Sequence, residues 1–160
     1  MSGWLLDTNV ISALAPRRPP ISPELARWLE ARTDELFLSV VTAAEIEAGV
    51  ARLRRSSAEV RADALAGWLE ALVATYAERI LPIDLGTARI AGALSDAAIA
   101  KGRPAGFADV LIAATARVRG LTVLTRNPQD FEALGIGARD PFLDATTGPD
   151  DARMERAPWP

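Results

Sequence analysis

The feature that most limits what this chain can fold into is a recurring pair: a short apolar run, then a stretch whose apolar residues fall at helical spacing. The runs are Gly3-Trp4-Leu5-Leu6, Leu36-Phe37-Leu38-Ser39-Val40, Ile80-Leu81-Pro82-Ile83 and Leu121-Thr122-Val123-Leu124-Thr125. Apolar runs this short, without polar alternation, read as strands buried on both faces. Strands separated by helices lie parallel, with the helices covering both sides of the sheet. The expected fold class is therefore α/β.

A short helix is expected over Val10–Leu14. The segment Ala15-Pro16-Arg17-Arg18-Pro19-Pro20 must be a loop, because its prolines forbid helix. Leu25, Trp28 and Leu29 follow Pro23 at helical spacing. Further helices are expected from Thr42 to about Arg55, from Glu59 to Arg79, from a cap at Asp84 to Ala100, from Ala108 to Arg119, and across Asn127–Asp130. In the second of these, Leu65, Trp68, Leu69, Leu72, Val73 and Tyr76 form one apolar stripe. Core packing is its expected fate, with Trp68 and Tyr76 also suited to a protein interface. The helix from Ala108 is apolar almost all round and should be buried. Residues 1–144 are expected to make one domain, and the polar, proline-containing segment 145–160 a flexible C-terminal tail. No apolar run approaches the roughly 20 residues that span a bilayer. Asp7 ends the first apolar segment too early for a secretion signal. A cytoplasmic protein without membrane contact is expected.

Two absences narrow the chemistry. The 160 residues include no Cys and no His. That removes thiolate nucleophiles, Cys-type zinc sites, Ser-His-Asp triads and histidine acid–base pairs. The single lysine, Lys101, lies outside any glycine-rich phosphate loop. An enzyme built from this chain must use carboxylates, hydroxyls, arginines and a metal they hold, and hard oxygen donors point to Mg²⁺ or Mn²⁺. The net charge of −3 argues against a passive nucleic-acid binder, yet the cations are almost all arginine, the type best suited to phosphate.

Each prominent acid has a plain structural account. Asp7 sits at a strand-to-helix turn, where it can cap the helix for about 1 kcal/mol. Thr42-Ala43-Ala44-Glu45 reads as a capping box. Asp109 lies in the first turn of its helix, where the macrodipole favours an anion, and Asp130 stands three residues after the expected cap Asn127. Together they carry more. In a parallel sheet the strand-to-helix turns open on one edge, so Asp7, Glu45 and the Asn127–Asp130 segment arrive there, with Asp109 at the same rim. Caps have no reason to converge. Carboxylates within about 4–6 Å raise one another's pKa or require a counterion.

Four segments then carry a resemblance: Leu5-Leu6-Asp7-Thr8-Asn9-Val10-Ile11-Ser12, Thr42-Ala43-Ala44-Glu45-Ile46-Glu47-Ala48-Gly49, Ala108-Asp109-Val110-Leu111-Ile112-Ala113-Ala114-Thr115-Ala116 and Leu124-Thr125-Arg126-Asn127-Pro128-Gln129-Asp130-Phe131. In this order, over about residues 4–143, they resemble the PIN-domain nucleases, in particular the VapC branch of toxin–antitoxin pairs. The resemblance implies a three-layer α/β/α fold with a central, mostly parallel sheet, and Mg²⁺- or Mn²⁺-dependent cleavage of RNA. Asp7, Glu45 and Asp109 match the family's acidic triad. Asn127 and Asp130 both fall near its fourth acidic position, with Asp130 favoured as the charged member and Asn127 as a polar ligand or supporting residue. Thr8, Asn9 and Thr125 match residues that support the site through hydrogen bonds. A homodimer and a VapB-like antitoxin partner are also implied.

On that basis Asp7 and Asp109 are expected to ligate the metal, Glu45 to ligate it or orient the attacking water, and Asp130 to complete the shell. In-line attack by water leaves a 5′-phosphate and a 3′-hydroxyl. Arg17, Arg18 and Arg126 are candidates for RNA or antitoxin contact, against a plain reading as solvated surface arginines. Two rivals remain. A haloacid-dehalogenase-like phosphatase would want a second acid two residues after Asp7, where Asn9 stands. A non-catalytic module of the same fold would only bind a partner.

Overall fold

Side chains alternate across each strand, and that alternation sorts the core into two layers. In the computed structural model, which describes residues 3–144, the strands are β1 (Trp4–Leu6), β2 (Leu36–Ser39), β3 (Ile80–Leu81), β4 (Thr122–Leu124) and β5 (Ala138–Arg139). They form one sheet in the order β3-β2-β1-β4-β5, and every neighbouring pair is parallel. Leu6, Leu36, Leu38 and Leu124 face one side, while Leu5, Phe37 and Val123 face the other. The sheet is thus apolar on both faces, as the uninterrupted runs require.

The helices are α1 (Thr8–Ile11), α2 (Pro23–Ala31), α3 (Val40–Arg55), α4 (Glu59–Tyr76), α5 (Leu85–Ala100), α6 (Phe107–Arg119), α7 (Pro128–Ala133) and α8 (Pro141–Asp144). On the Leu6 side, α1, α2, α3 and α4 supply Val10, Leu25, Trp28, Ile46, Leu69 and Tyr76. On the Leu5 side, α5, α6 and α7 supply Leu94, Ile112, Ala113 and Phe131. The result is a three-layer α/β/α arrangement. Six residues of α6, among them Ile112, Ala113 and Ala114, are buried, so that helix is enclosed as its apolar sequence demands. It ends at Gly120, whose φ of 65° a side chain would resist, and the chain turns there directly into β4.

Several boundaries differ from expectation. The helix after β2 begins at Val40 and not at Thr42. Its cap is Ser39, whose hydroxyl accepts from the Val41 N–H at 3.1 Å. There is accordingly no capping box at Thr42–Glu45; Thr42 is fully buried and Glu45 stands more than a turn inside the helix. The helix from Glu59 ends at Tyr76, followed by a 3₁₀ turn, Ala77–Arg79, entered through a positive φ at Ala77. In its stripe Leu69 and Tyr76 are buried and Trp68 packs partly buried against the same cluster, whereas Val73 is exposed. Asp84 caps α5 as expected, accepting from the Thr87 N–H at 2.7 Å, and these Thr87 bonds hold its carboxyl below the usual range. The edge strand β5 has only two residues and left no apolar run to find. The expected tail, 145–160, lies outside the described residues. No helix among the described residues is long and apolar enough to cross a membrane.

Strand order positions the site. The chain steps outward from β1 to β2 to β3, then returns to lay β4 against the other side of β1. The connections diverge between β1 and β4, and this switch point at the carboxyl ends of the strands is where open α/β sheets form a crevice. The fold depends on α6 filling the layer beneath that crevice. Ile112→Ala, at a residue with no exposed surface, should cost about 2–5 kcal/mol in urea unfolding; a loss below about 1 kcal/mol would contradict this packing.

Candidate active site

Asp7 is the first residue after β1 and the cap of α1. Its N–H donates to the Leu124 carbonyl at 2.9 Å, so the chain crosses the switch point with its backbone tied to β4. Its carboxylate is tied there as well. Oδ1 accepts from the Thr8 N–H at 2.7 Å, and Oδ2 accepts from the Thr125 hydroxyl at 2.7 Å. Asp7 is only 5% exposed. Burial pushes its carboxyl up to about 6; the bonds from Thr125 and Thr8 oppose the rise, and the charges of Asp109 and Glu45 add to it.

Thr125, wholly buried just after β4, uses every bond its hydroxyl can make. It donates to Asp7 and accepts from Asn9 Nδ2 and from the Asn127 N–H, each at 3.1 Å. Asn9 in turn accepts from the Arg126 N–H at 3.1 Å. Both ends of the Asn9 amide are thus occupied, and the position two residues after Asp7 offers no acid. The phosphatase alternative has no footing here.

Glu45 comes to the same edge from α3. Its Oε2 accepts from the Thr8 hydroxyl at 2.5 Å, and Thr8 Oγ1 lies 3.1 Å from the buried Thr42 Oγ1. One hydroxyl proton serves only one strong bond, so it goes to the carboxylate and Thr8 accepts from Thr42. Thr42 is therefore a member of the network, on the inward face of α3 one turn before Glu45, and not a cap.

Asp109 lies in the first turn of α6. Burial raises its carboxyl pKa, and the charges of Asp130 and Glu45 raise it further. Gly106 caps α6 without a side chain; a Cβ there would lie 3.1 Å from Asp109 Oδ2. The glycine keeps space open beside that carboxylate. Asp109 and the exposed Asp130, in the first turn of α7, line a cleft of about 400 Å³ with Arg103, Gly106 and Gln129. Asn127 precedes α7 but its side chain makes no capping bond and is exposed. Its backbone N–H is spent on Thr125.

The sequence-predicted acids Asp7, Glu45, Asp109 and Asp130 thus form a chain of mutually felt charges along one sheet edge. Among the described residues, no three acidic side chains form a ready-made cage for a metal ion. Arg17 and Arg18 line a second cleft, which Glu45 shares. The Arg126 guanidinium instead stacks over the Phe142 ring at 4.1 Å.

A model of the PIN domain family matches residues 4–136. The chain belongs to the PIN domain family. It is 38% identical over 144 residues to plasmid stability protein StbB of Pseudomonas syringae pv. tomato, covering 86% of this chain and 97% of that one. Toxin FitB of Neisseria gonorrhoeae is 36% identical over 142 residues, covering 88% and 99%. VapC ribonuclease Y4jK of Sinorhizobium fredii is 37% identical over 143 residues, covering 86% and 96%. Among solved structures, FitAcB from Neisseria gonorrhoeae is similar with a TM-score of 0.74 at 36% identity, over 86% of this chain and 97% of that chain.

A buried acid with a raised pKa leaves a mark on stability. Asp7 favours folding most when protonated, below about pH 4, and that contribution is lost as pH rises through about 6. Asp7→Asn, neutral throughout, should gain on the wild type by on the order of 1–3 kcal/mol between the two limits. Urea unfolding of both proteins at pH values spanning that window checks it; a constant difference would contradict it.

Proposed function

We propose that this chain is a metal-dependent endoribonuclease and the toxin of a VapBC-like toxin–antitoxin pair. The observation that carries the proposal is the convergence of Asp7, Glu45 and Asp109, from three separate elements, in one charged neighbourhood at the switch point of the sheet. Support also comes from the relatives, one named a ribonuclease and another a toxin, and from a similar structure described as a member of the VapBC family of toxin–antitoxin systems. In this proposal a VapB-like antitoxin is the protein partner, RNA the substrate, a homodimer the working assembly and the cytoplasm the place of action.

The donor set fits Mg²⁺ or Mn²⁺: it is all oxygen, and a cation would offset the burial that chiefly raises Asp7 and Asp109 as well as the repulsion that adds to it. The fit is to an open site, since Mg²⁺ is commonly held by one or two carboxylates and keeps several waters. When bound, such an ion supplies positive charge to the attacked phosphate and lowers the pKa of a water. Asp7 and Asp109 are its holders. Asp7 is locked in place by Thr125 and the Thr8 N–H, whereas Asp109 has free space beside Oδ2. Glu45 keeps Oε1 free while Thr8 fixes Oε2, so Oε1 orients the attacking water and takes its proton. Asp130, on the rim of the Asp109 cleft, completes the shell, with Asn127 as a polar ligand or supporting residue. Water as nucleophile needs no 2′-hydroxyl, so the choice of RNA rests on likeness to the VapC ribonuclease.

Cleavage of single-stranded RNA in Mn²⁺, with EDTA as control, tests this reading. Asp109→Asn should lose at least about 100-fold in rate while keeping its circular dichroism and melting profile, and EDTA should abolish wild-type cleavage. Undiminished cleavage in the variant, or cleavage that survives chelation, would overturn the assignment. Antitoxin binding without any cleavage would make the chain a binding module.

A further inference from the structure

The second cleft, of about 380 Å³, is built from three segments: α3 as its floor, α4 as one wall, and α1 with the loop after it as the other. Glu45, Gly49 and Arg52 run along the floor, Arg61 stands on the α4 wall, and Arg17 and Arg18 stand on the loop. Its inner end is Thr8 and Glu45, the edge of the acidic site. Its rim is guanidinium. Among the described residues none of these four arginines is paired with an acid, although Arg54 reaches Asp63 at 3.7 Å and Arg27 reaches Glu24 at 3.5 Å. Glu45, the acid inside the cleft, accepts from Thr8 through Oε2 and keeps its charge. In a chain of net charge −3, four arginines around one carboxylate are a local excess of positive charge.

The loop is held in an unusual shape. The Arg18 N–H closes a turn onto the Ala15 carbonyl at 3.2 Å, with Pro16 and Arg17 in the central places. Arg17 has a φ of 66°, where glycine is the ordinary choice. An arginine is thus kept at a strained position, between prolines, on the border of a basic cleft.

We propose that this cleft is a phosphate-binding track that holds the RNA strand on one side of the cut, with Arg17, Arg18, Arg52 and Arg61 on consecutive phosphates. The proposal rests on the nuclease reading of the acidic site. Guanidinium forks match phosphate oxygens in pairs. Arg52 lies two helical turns from Glu45, about 10 Å along α3, so it reaches phosphates beyond the one attacked. The opposite cleft carries Asp109 and Asp130 beside a single guanidinium, Arg103, whereas this one carries four guanidinium groups beside the single acid Glu45, which makes it the better match to a strand of phosphates.

The test is anisotropy of a labelled single-stranded RNA oligonucleotide with the full chain in EDTA, where binding is read without cleavage. Arg52→Ala/Arg61→Ala should weaken binding roughly tenfold at low salt and reduce the slope of log affinity against log salt by about 1.4. Arg52→Lys/Arg61→Lys should keep most of the slope, and Arg89→Ala, on α5 at the other face of the sheet, should change neither quantity. Unchanged affinity and slope in the double alanine variant, with Mn²⁺-dependent cleavage intact in the wild type, would overturn the track and leave the nuclease standing. RNA binding that depends on these arginines in a wild type that never cleaves would support the track and sink the nuclease. A double alanine variant that keeps RNA but loses a polyglutamate probe would assign the cleft to an acidic protein segment and overturn the proposal.

Discussion

The hydrogen bond from the Thr125 hydroxyl to Asp7 Oδ2 ties the first carboxylate to the end of β4, beside the backbone bond from Asp7 to Leu124, where the sheet's connections diverge. Much of the site is arranged by it. With its proton given to Asp7, Thr125 can only accept from its other neighbours, which fixes the Asn9 amide and the entry to α7. The first and last motifs, remote in sequence, are thereby locked into one polar unit. Glu45 joins through Thr8, whose backbone N–H serves Asp7 and whose hydroxyl serves Glu45.

That unit is held against its own electrostatics. Asp7 is buried with Asp109 and Glu45 near enough to raise its pKa, and Asp109 feels Asp130 and the same Glu45. A chain selected for stability alone would place an asparagine or serine at the β1 turn and lose little capping. Capping accounts for one bond of Asp7, and for none of the contacts of Glu45 once the helix is seen to start at Ser39. Strain of this kind, concentrated at a crevice, marks functional sites. Gly106 extends the same logic by keeping the space beside Asp109 clear of any side chain.

The strands with long apolar runs were legible in the sequence because burial on both faces leaves no polar alternation, as in Leu5-Leu6 and Val123-Leu124. Strand β5 was not, since Ala138–Arg139 is too short to show a pattern and is defined only by pairing with β4. The acids were legible by position, each following a strand or opening a buried helix. Thr42 was misjudged: a threonine three residues before a glutamate fits a capping box, and only the Thr8 contact reveals its place in the network. Of the second cleft, Arg52 had a signal in its two-turn spacing from Glu45 along one helix face, but Arg61 had none, because the approach of α4 to α3 is a tertiary fact.

Burial first, and the acids Asp109 and Glu45 after it, make a charged Asp7 costly without a cation. The most direct measurement is a ¹³C NMR titration of the Asp7 carboxyl carbon, without metal and with Mg²⁺. A midpoint near 6 in the metal-free protein and a clear fall when Mg²⁺ is added are the expected results. An ordinary aspartate midpoint, unmoved by Mg²⁺, would contradict it.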